Sequence, residues 1–196
     1  MFNHTKQLNQ FLQDQIAGRF TNDSPVAVVE RSPLPCYRCI GVHHLSGLEN
    51  ETRHHLFLEV LDYAGQRRSV EQVQWGWTGQ RPDQLSRPVN LDKPASEPAG
   101  DIALHWGMEV WAQVLDQPSD RVAGITTALA SDEPGRSRGH HSHYVVWMWV
   151  DAPLTDDPPP GGIDWQARYE ALAGQVLEIA EGIDRTYRYL TKGILS

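Results

Sequence analysis

The sequence predicts a mainly β protein: an antiparallel β-sandwich of the Ig-like or jelly-roll type, preceded by a short helix and followed by a coiled-coil helix. Short runs rich in β-branched and aromatic residues alternate with turn residues from residue 26 to residue 150. No helical pattern of about twelve residues separates these runs, which disfavours an α/β fold. A segment rich in proline and glycine then precedes a region in which apolar residues follow a heptad spacing.

The first element is a helix predicted over residues 4–17. Its apolar side chains recur at helical spacing, at Leu8, Phe11, Leu12 and Ile16. Gly18 follows and is a typical residue for the end of a helix. Because the apolar side chains share one face, residues 1–20 are interpreted as an anchoring helix.

The sandwich domain is predicted over residues 24–151. The predicted strands are VAVVE (26–30), LFLEVLD (56–62), VEQVQWGW (70–77), MEVWAQVL (108–115), RVAGITTA (121–128) and HYVVWMWV (143–150). The glycine-containing turn YAGQ joins the second and third of these runs, so we expect them to form a hairpin. The polar stretch from Thr78 to Gly100 is predicted to be a loop.

Residues 152–163 are predicted to form a stiff linker, because consecutive prolines favour an extended chain. The following segment, 164–196, is predicted to be an oligomerising helix. Its apolar positions alternate by four and three residues, at Trp165, Tyr169, Leu172, Val176, Ile179, Ile183, Thr186 and Leu190. A strict 3.5-residue repeat keeps these positions facing a partner helix, and β-branched residues there with small flanking residues favour three or more chains. The alternative is a helix that folds back on its own sandwich.

Charge and composition narrow the class of protein. The chain has 17 Lys and Arg against 25 Asp and Glu, a formal net charge of -8, which disfavours binding to nucleic acid or to an anionic membrane. No apolar run approaches the roughly 20 residues of a membrane span, and we expect a soluble protein without an export signal. Two cysteines are too few for a disulfide framework and indicate a reducing compartment during synthesis.

Histidines and cysteines provide weak candidates for a metal site. The candidate ligands are Cys36, Cys39, His54 and His141. The spacing lacks the second CxxC or HxxxH of a zinc site, so we expect neither a metal nor another cofactor. In the preferred interpretation, His54 or His55 pairs across the sheet with His140 or His141, with ring nitrogens bonded to backbone carbonyls or to carboxylates such as Asp132 and Glu133.

No catalytic residue is predicted. The motifs GxSxG, HExxH, GxxxxGKS and GxGxxG do not occur, and the carboxylate pairs of the sequence lie in predicted loops. The CxxC sequence of Cys36 and Cys39 lacks the βαβ context of a thioredoxin-type site, and we expect reduced, packed thiols or at most a labile disulfide. A zinc hydrolase that uses the histidines is the enzymatic alternative.

Three segments resemble a β-sandwich module of uncharacterised phage and prophage-type proteins. They are HHLFLEVLD, LDKPASEPAGDIALHWGMEVWAQV and SDRVAGITTALASDEPGRSRGHHSHYVV, which together extend over roughly residues 53–149. The resemblance lies mainly in DKPxxEP and GHHSxYVV taken together. It implies a non-catalytic, structural or binding part of a virion or of a cell-wall-associated protein, and it carries no functional residues over to this chain.

These observations together predict a structural component of a phage virion, synthesised in the host cytoplasm. A tail fibre or adaptor protein is favoured, assembled as a symmetric homo-oligomer, a trimer above all, in contact with other virion proteins. The alternatives are a capsid decoration protein and a carbohydrate-binding module that contacts a host surface glycan. In the latter, an aromatic platform would be drawn from Trp75, Trp77, Trp106 or Trp111.

Overall fold

The computed structural model describes residues 2–81, 83–84, 86–130 and 133–151, and these residues form two helices and ten strands. The elements are α1 (His4–Ile16), β1 (Thr21–Asn22), β2 (Val28–Glu30), β3 (Cys36–His44), α2 (Gly47–Asn50), β4 (His55–Leu61), β5 (Gln72–Trp77), β6 (Val89–Asn90), β7 (Gly100–Ala103), β8 (Glu109–Val114), β9 (Arg121–Thr126) and β10 (His143–Val150). The predicted linker and the predicted oligomerising helix lie outside the described residues. No helix in the described part of the chain is long and apolar enough to cross a membrane.

The strands form two five-stranded sheets, which confirms the mainly β class. The first sheet has the order β1-β3-β10-β4-β7, and the second has the order β2-β9-β8-β5-β6. Six of the eight pairings between the described strands are antiparallel, whereas β1 with β3 and β4 with β10 are parallel. The first sheet is therefore mixed, whereas the second is antiparallel in all its described pairings. The parallel pairing of β4 with β10 joins strands that are far apart in sequence, so no tight turn has to connect them.

The predicted hairpin between the second and third runs is wrong. Strand β4 lies in the first sheet between β10 and β7, whereas β5 lies in the second sheet between β8 and β6. The turn that follows β4 closes locally, because the Asp62 amide donates to the Gln66 carbonyl at 2.8 Å. The fully buried Glu59 then holds Arg67 through an Arg67 Nε to Glu59 Oε1 contact of 2.6 Å. This ion pair fixes the chain where it leaves the first sheet for the second.

The main hydrophobic core lies between the two sheets. Alternate residues of β5 and β8 contribute side chains to it, as expected from the period of two in a strand. It contains, among others, Leu58, Val73, Val110, Val122 and Trp147, drawn from both sheets. The polar loop predicted from Thr78 to Gly100 is interrupted by β6, which forms one edge of the second sheet.

Helix α1 covers the outer face of the first sheet, and its bounds confirm the helix predicted over 4–17. Phe11 is fully buried in a second apolar cluster together with Ile40 and Tyr144. A Cβ atom at Gly41 would overlap the Phe11 ring, so the glycine makes room for this contact. The apolar face predicted to anchor a neighbour therefore packs on the chain's own sheet.

Asp120 joins the two sheets where the β8–β9 turn meets β3. Its fully buried carboxylate accepts hydrogen bonds from the amides of Ser32 and Cys39, at 2.8 and 2.9 Å. It also binds Arg31 Nη1 at 2.6 Å and Arg38 Nη1 at 2.9 Å. Both carboxylate oxygens are thus fully engaged, and one side chain closes this end of the sandwich.

Candidate functional site

A cluster of histidines closes the opposite end of the β3–β10 ladder. His44 and His143 are directly paired across these two strands, and their rings stack with centroids 4.6 Å apart. His141 lies in the loop before β10, with its Nδ1 3.0 Å from His44 Nε2. Ser24 closes the cluster with its Oγ 3.1 Å from His143 Nε2. All three imidazoles are buried, so the cluster seals the end of the core between the sheets.

Burial disfavours the charged form of these three imidazoles. Desolvation lowers the pKa of His44 to about 4, with a further contribution from the Arg136 charge. The same cause lowers the pKa of His141, and it lowers the pKa of His143 well below the usual value. Because neighbouring imidazoles also repel one another's charge, a proton on one disfavours a proton on the next.

His43 lies next to this cluster but has the opposite electrostatic environment. Its Nδ1 is 2.6 Å from Asp23 Oδ2, and its Nε2 is 3.1 Å from Glu49 Oε2. Desolvation acts to lower the pKa of His43, but the hydrogen bonds and charges of the two carboxylates outweigh it and raise the pKa. At this end of β3, the surroundings therefore favour the charged form of His43 and disfavour the charged forms of His44, His141 and His143.

Of the predicted histidine pairs across the sheet, the structure shows only the contact between His54 and His140. The rings of His54 and His140 are in edge contact, with centroids 5.9 Å apart. His55 is directed to Asp101, with 3.7 Å between His55 Nε2 and Asp101 Oδ2. His141 pairs instead with His44, a contact between residues 97 positions apart that no local pattern indicates.

The cysteines of the CxxC sequence are free and buried. Desolvation raises the pKa of the Cys36 thiol and raises that of Cys39 to about 12. A thiol is nucleophilic and metal-binding as the thiolate, so these two are held in their unreactive form.

The candidate metal ligands do not converge. Cys36 is paired with Val150 at one end of the β3–β10 ladder, and His44 with His143 at the other. His44, which contacts the candidate ligand His141, is eight positions from Cys36 along β3, which corresponds to about 26 Å at 3.3 Å per residue. In the described residues, no group of three or more His, Cys, Asp or Glu side chains is arranged to hold a metal ion.

Two of the four tryptophans predicted to contact a glycan pack against the core. Trp75 and Trp77 pack against the main cluster from β5, and Trp75 Nε1 donates to the Arg87 carbonyl at 3.0 Å. Trp111 lies on the outer face of the second sheet opposite Gly76, with the Arg121 guanidinium 4.2 Å from its ring centroid. None of these three indoles forms an open platform.

Trp106 differs from the other three, because 66% of its surface is exposed. It lies between β7 and β8, at the end of the sandwich that also bears the loop before β10. The Arg138 guanidinium is 5.4 Å from its ring centroid, and the backbone of Gly139 contacts its pyrrole ring. The sequence indicated Trp106 as one aromatic among several, but nothing in the sequence indicated its contact with Arg138.

Comparison with known proteins finds no family model, no curated protein and no solved structure that matches this chain.

Proposed function

We propose that this chain is a structural component of a phage virion, with a tail fibre or adaptor protein as the preferred role. In this proposal, residues 2–151 form a non-catalytic sandwich module of the Ig-like or jelly-roll type. Residues 164–191 form a parallel coiled coil that joins three chains. The motif resemblance over residues 53–149 supports the virion assignment, and the heptad spacing supports the oligomer.

The observation that carries the proposal is how the sandwich covers its own apolar faces. The outer face of the first sheet is covered by α1, whose Phe11 is fully buried there. The outer face of the second sheet bears polar side chains at Gln74 and Gln113, which are paired across β5 and β8. On the same face, Trp111 lies under the Arg121 guanidinium. The strict heptad spacing itself favours helices of other chains as the partners of residues 164–191.

The test is the composition and architecture of the particle. Phage particles purified on a density gradient should contain the chain, and antibody labelling in the electron microscope should locate it on the tail. Labelling distributed over the head would support the capsid decoration alternative instead. Absence of the chain from purified particles, with the protein present in the infected cell, would contradict a virion role.

The carbohydrate-binding alternative has one structural observation in its favour, the exposed Trp106. A glycan contact is compatible with a tail protein, since a fibre can both assemble and bind a surface. The two roles use separate parts of the chain and can be tested separately.

A further inference from the structure

Trp106 is held on a braced turn. Gly107 has a φ of 75°, which favours glycine, and its amide donates to Thr127 Oγ1 at 3.0 Å. The Thr127 hydroxyl in turn donates to the His105 carbonyl at 2.9 Å. Thr127 is fully buried, so its hydrogen bonds hold the turn against the core while the Trp106 indole is exposed to solvent. A fixed side chain loses little conformational freedom on binding, which favours affinity.

The Trp106 indole packs against the backbone of Gly139. A Cβ atom at Gly139 would come within 2.8 Å of Trp106 Nε1, so only a glycine permits this approach. The Gly139 amide is bonded to the Thr127 carbonyl at 3.0 Å, which ties this strip of backbone to the same brace. Gly139 thus covers part of the ring, and 66% of the residue remains exposed.

Arg138 provides a cation over this ring. Nine of the eleven arginines in the described part of the chain form ion pairs with carboxylates, and Arg138 is one of the two that do not. Its guanidinium, 5.4 Å from the Trp106 ring centroid, therefore keeps its donors for a ligand. In a chain with a formal net charge of -8, an unpaired arginine next to an open indole is a specific local feature.

We propose that Trp106 and Arg138 form a binding site for a glycan that carries an anionic group. The apolar face of a sugar ring stacks on the exposed part of the indole, and the carboxylate or phosphate of the sugar accepts paired hydrogen bonds from the guanidinium. Arginine suits this role because its planar fork matches both anions. The site goes beyond the assembly role proposed above, because it uses the sandwich alone and does not depend on the heptad region.

The experiment titrates the full-length chain with three charged probes, sialyllactose, tetragalacturonate and a glycerol-phosphate oligomer, and with lactose as the neutral control. Binding is measured by calorimetry and by shifts of the tryptophan indole N–H signals in NMR spectra. We expect at least one charged probe to bind about tenfold or more tightly than lactose, with the Trp106 signal shifted most. The preferred probe distinguishes a carboxylated sugar from a sugar phosphate.

Two variants and one matched control assign the site. Trp106→Ala should abolish measurable binding, and Arg138→Gln should weaken the charged probe about tenfold towards the affinity of lactose. Tyr63→Ala removes another exposed aromatic, 58% exposed in the turn after β4, and should leave binding unchanged. Thermal unfolding of each variant checks that the sandwich remains folded.

Three results would overturn the proposal. The first is that none of the four probes binds at about 1 mM, which would point to a protein partner for Trp106. The second is equal affinity for the charged probes and for lactose. The third is binding that survives Trp106→Ala. Each result is independent of oligomeric state and of the presence of the chain in particles, so the proposed virion role stands or fails separately.

Discussion

Replacing Asp120 by alanine is expected to lower the free energy of unfolding by about 3–5 kcal/mol. The carboxylate is fully buried and accepts from the amides of Ser32 and Cys39 at 2.8 and 2.9 Å. Two amides left without an acceptor cost about 1–3 kcal/mol each. The partner arginines, Arg31 and Arg38, have side chains 40% and 21% exposed, so water compensates part of their loss. The sum is a large part of the 5–15 kcal/mol typical of a domain.

The assay is urea unfolding followed by tryptophan fluorescence, with Glu30→Ala as the matched control. Glu30 also faces an arginine across a strand pair, but its side chain is 60% exposed and its Oε2 is 3.9 Å from Arg121 Nε. An exposed pair of this kind contributes less than about 1 kcal/mol. If Asp120→Ala destabilises the protein no more than Glu30→Ala does, Asp120 is not the link between the sheets that its hydrogen bonds indicate.

Three further predictions concern the buried groups. The pKa of His44 is lowered to about 4 from its usual 6.5, so the unfolded chain binds the proton first. The contribution of His44 to stability should therefore be constant above pH 6.5 and fall as the pH drops towards 4. His44→Gln should weaken the fall in melting temperature over this range, and an identical pH profile for the variant would contradict the assignment. Cys36 and Cys39 should resist thiol reagents in the folded state, and dithiothreitol should leave the melting temperature unchanged; rapid labelling without unfolding would show that they are accessible. Gly41→Ala should lower the free energy of unfolding by about 1–3 kcal/mol, because the new methyl group overlaps the Phe11 ring. In a Phe11→Ala background this loss should be smaller, which a double-mutant cycle in chemical unfolding measures. Equal losses in both backgrounds would contradict the contact.

The sequence predicted those elements that have a clear period or a clear β composition. The spacing of Phe11 and its neighbours predicted α1, and the apolar runs from Leu56 and from His143 predicted β4 and β10. Strand β3 was not predicted as a strand, because it is covered on one face by the core and on the other by α1 and so shows no alternation. Its CxxC and histidines drew attention to metal chemistry instead.

Long-range pairing explains most of what the sequence could not predict. The turn after β4 has the composition of a hairpin, but the next strand, β5, pairs with β8 and β6 in the other sheet. Asp120 has the sequence context of an ordinary turn aspartate, and its partners lie 81 to 89 positions away. The stacking of His44 on His143 likewise depends on register between distant strands. Candidate residues were therefore identifiable by type, but their partners were not.

The sequence could not predict which of the candidate tryptophans for glycan binding are exposed to solvent. Trp75 and Trp106 are equally aromatic in the sequence, yet one packs against the core and the other is 66% exposed on a turn. Trp75 and Trp77 are two positions apart in β5, so both lie on the face of the strand that packs against the core. Nothing in the sequence distinguished Arg138 from other arginines in polar loops, because its ring contact and its lack of an ion pair in the described residues depend on the fold.

The central claim, assembly through residues 164–191, is tested most directly by sedimentation equilibrium on three forms of the chain. The intact chain should be a trimer at micromolar concentration, whereas a form that ends at Pro160 should be a folded monomer. Ile179→Asp should also be monomeric, because it removes about 1.5–3 kcal/mol of burial per chain and brings like charges together at the helix interface. An intact chain that sediments as a monomer at this concentration would contradict the account.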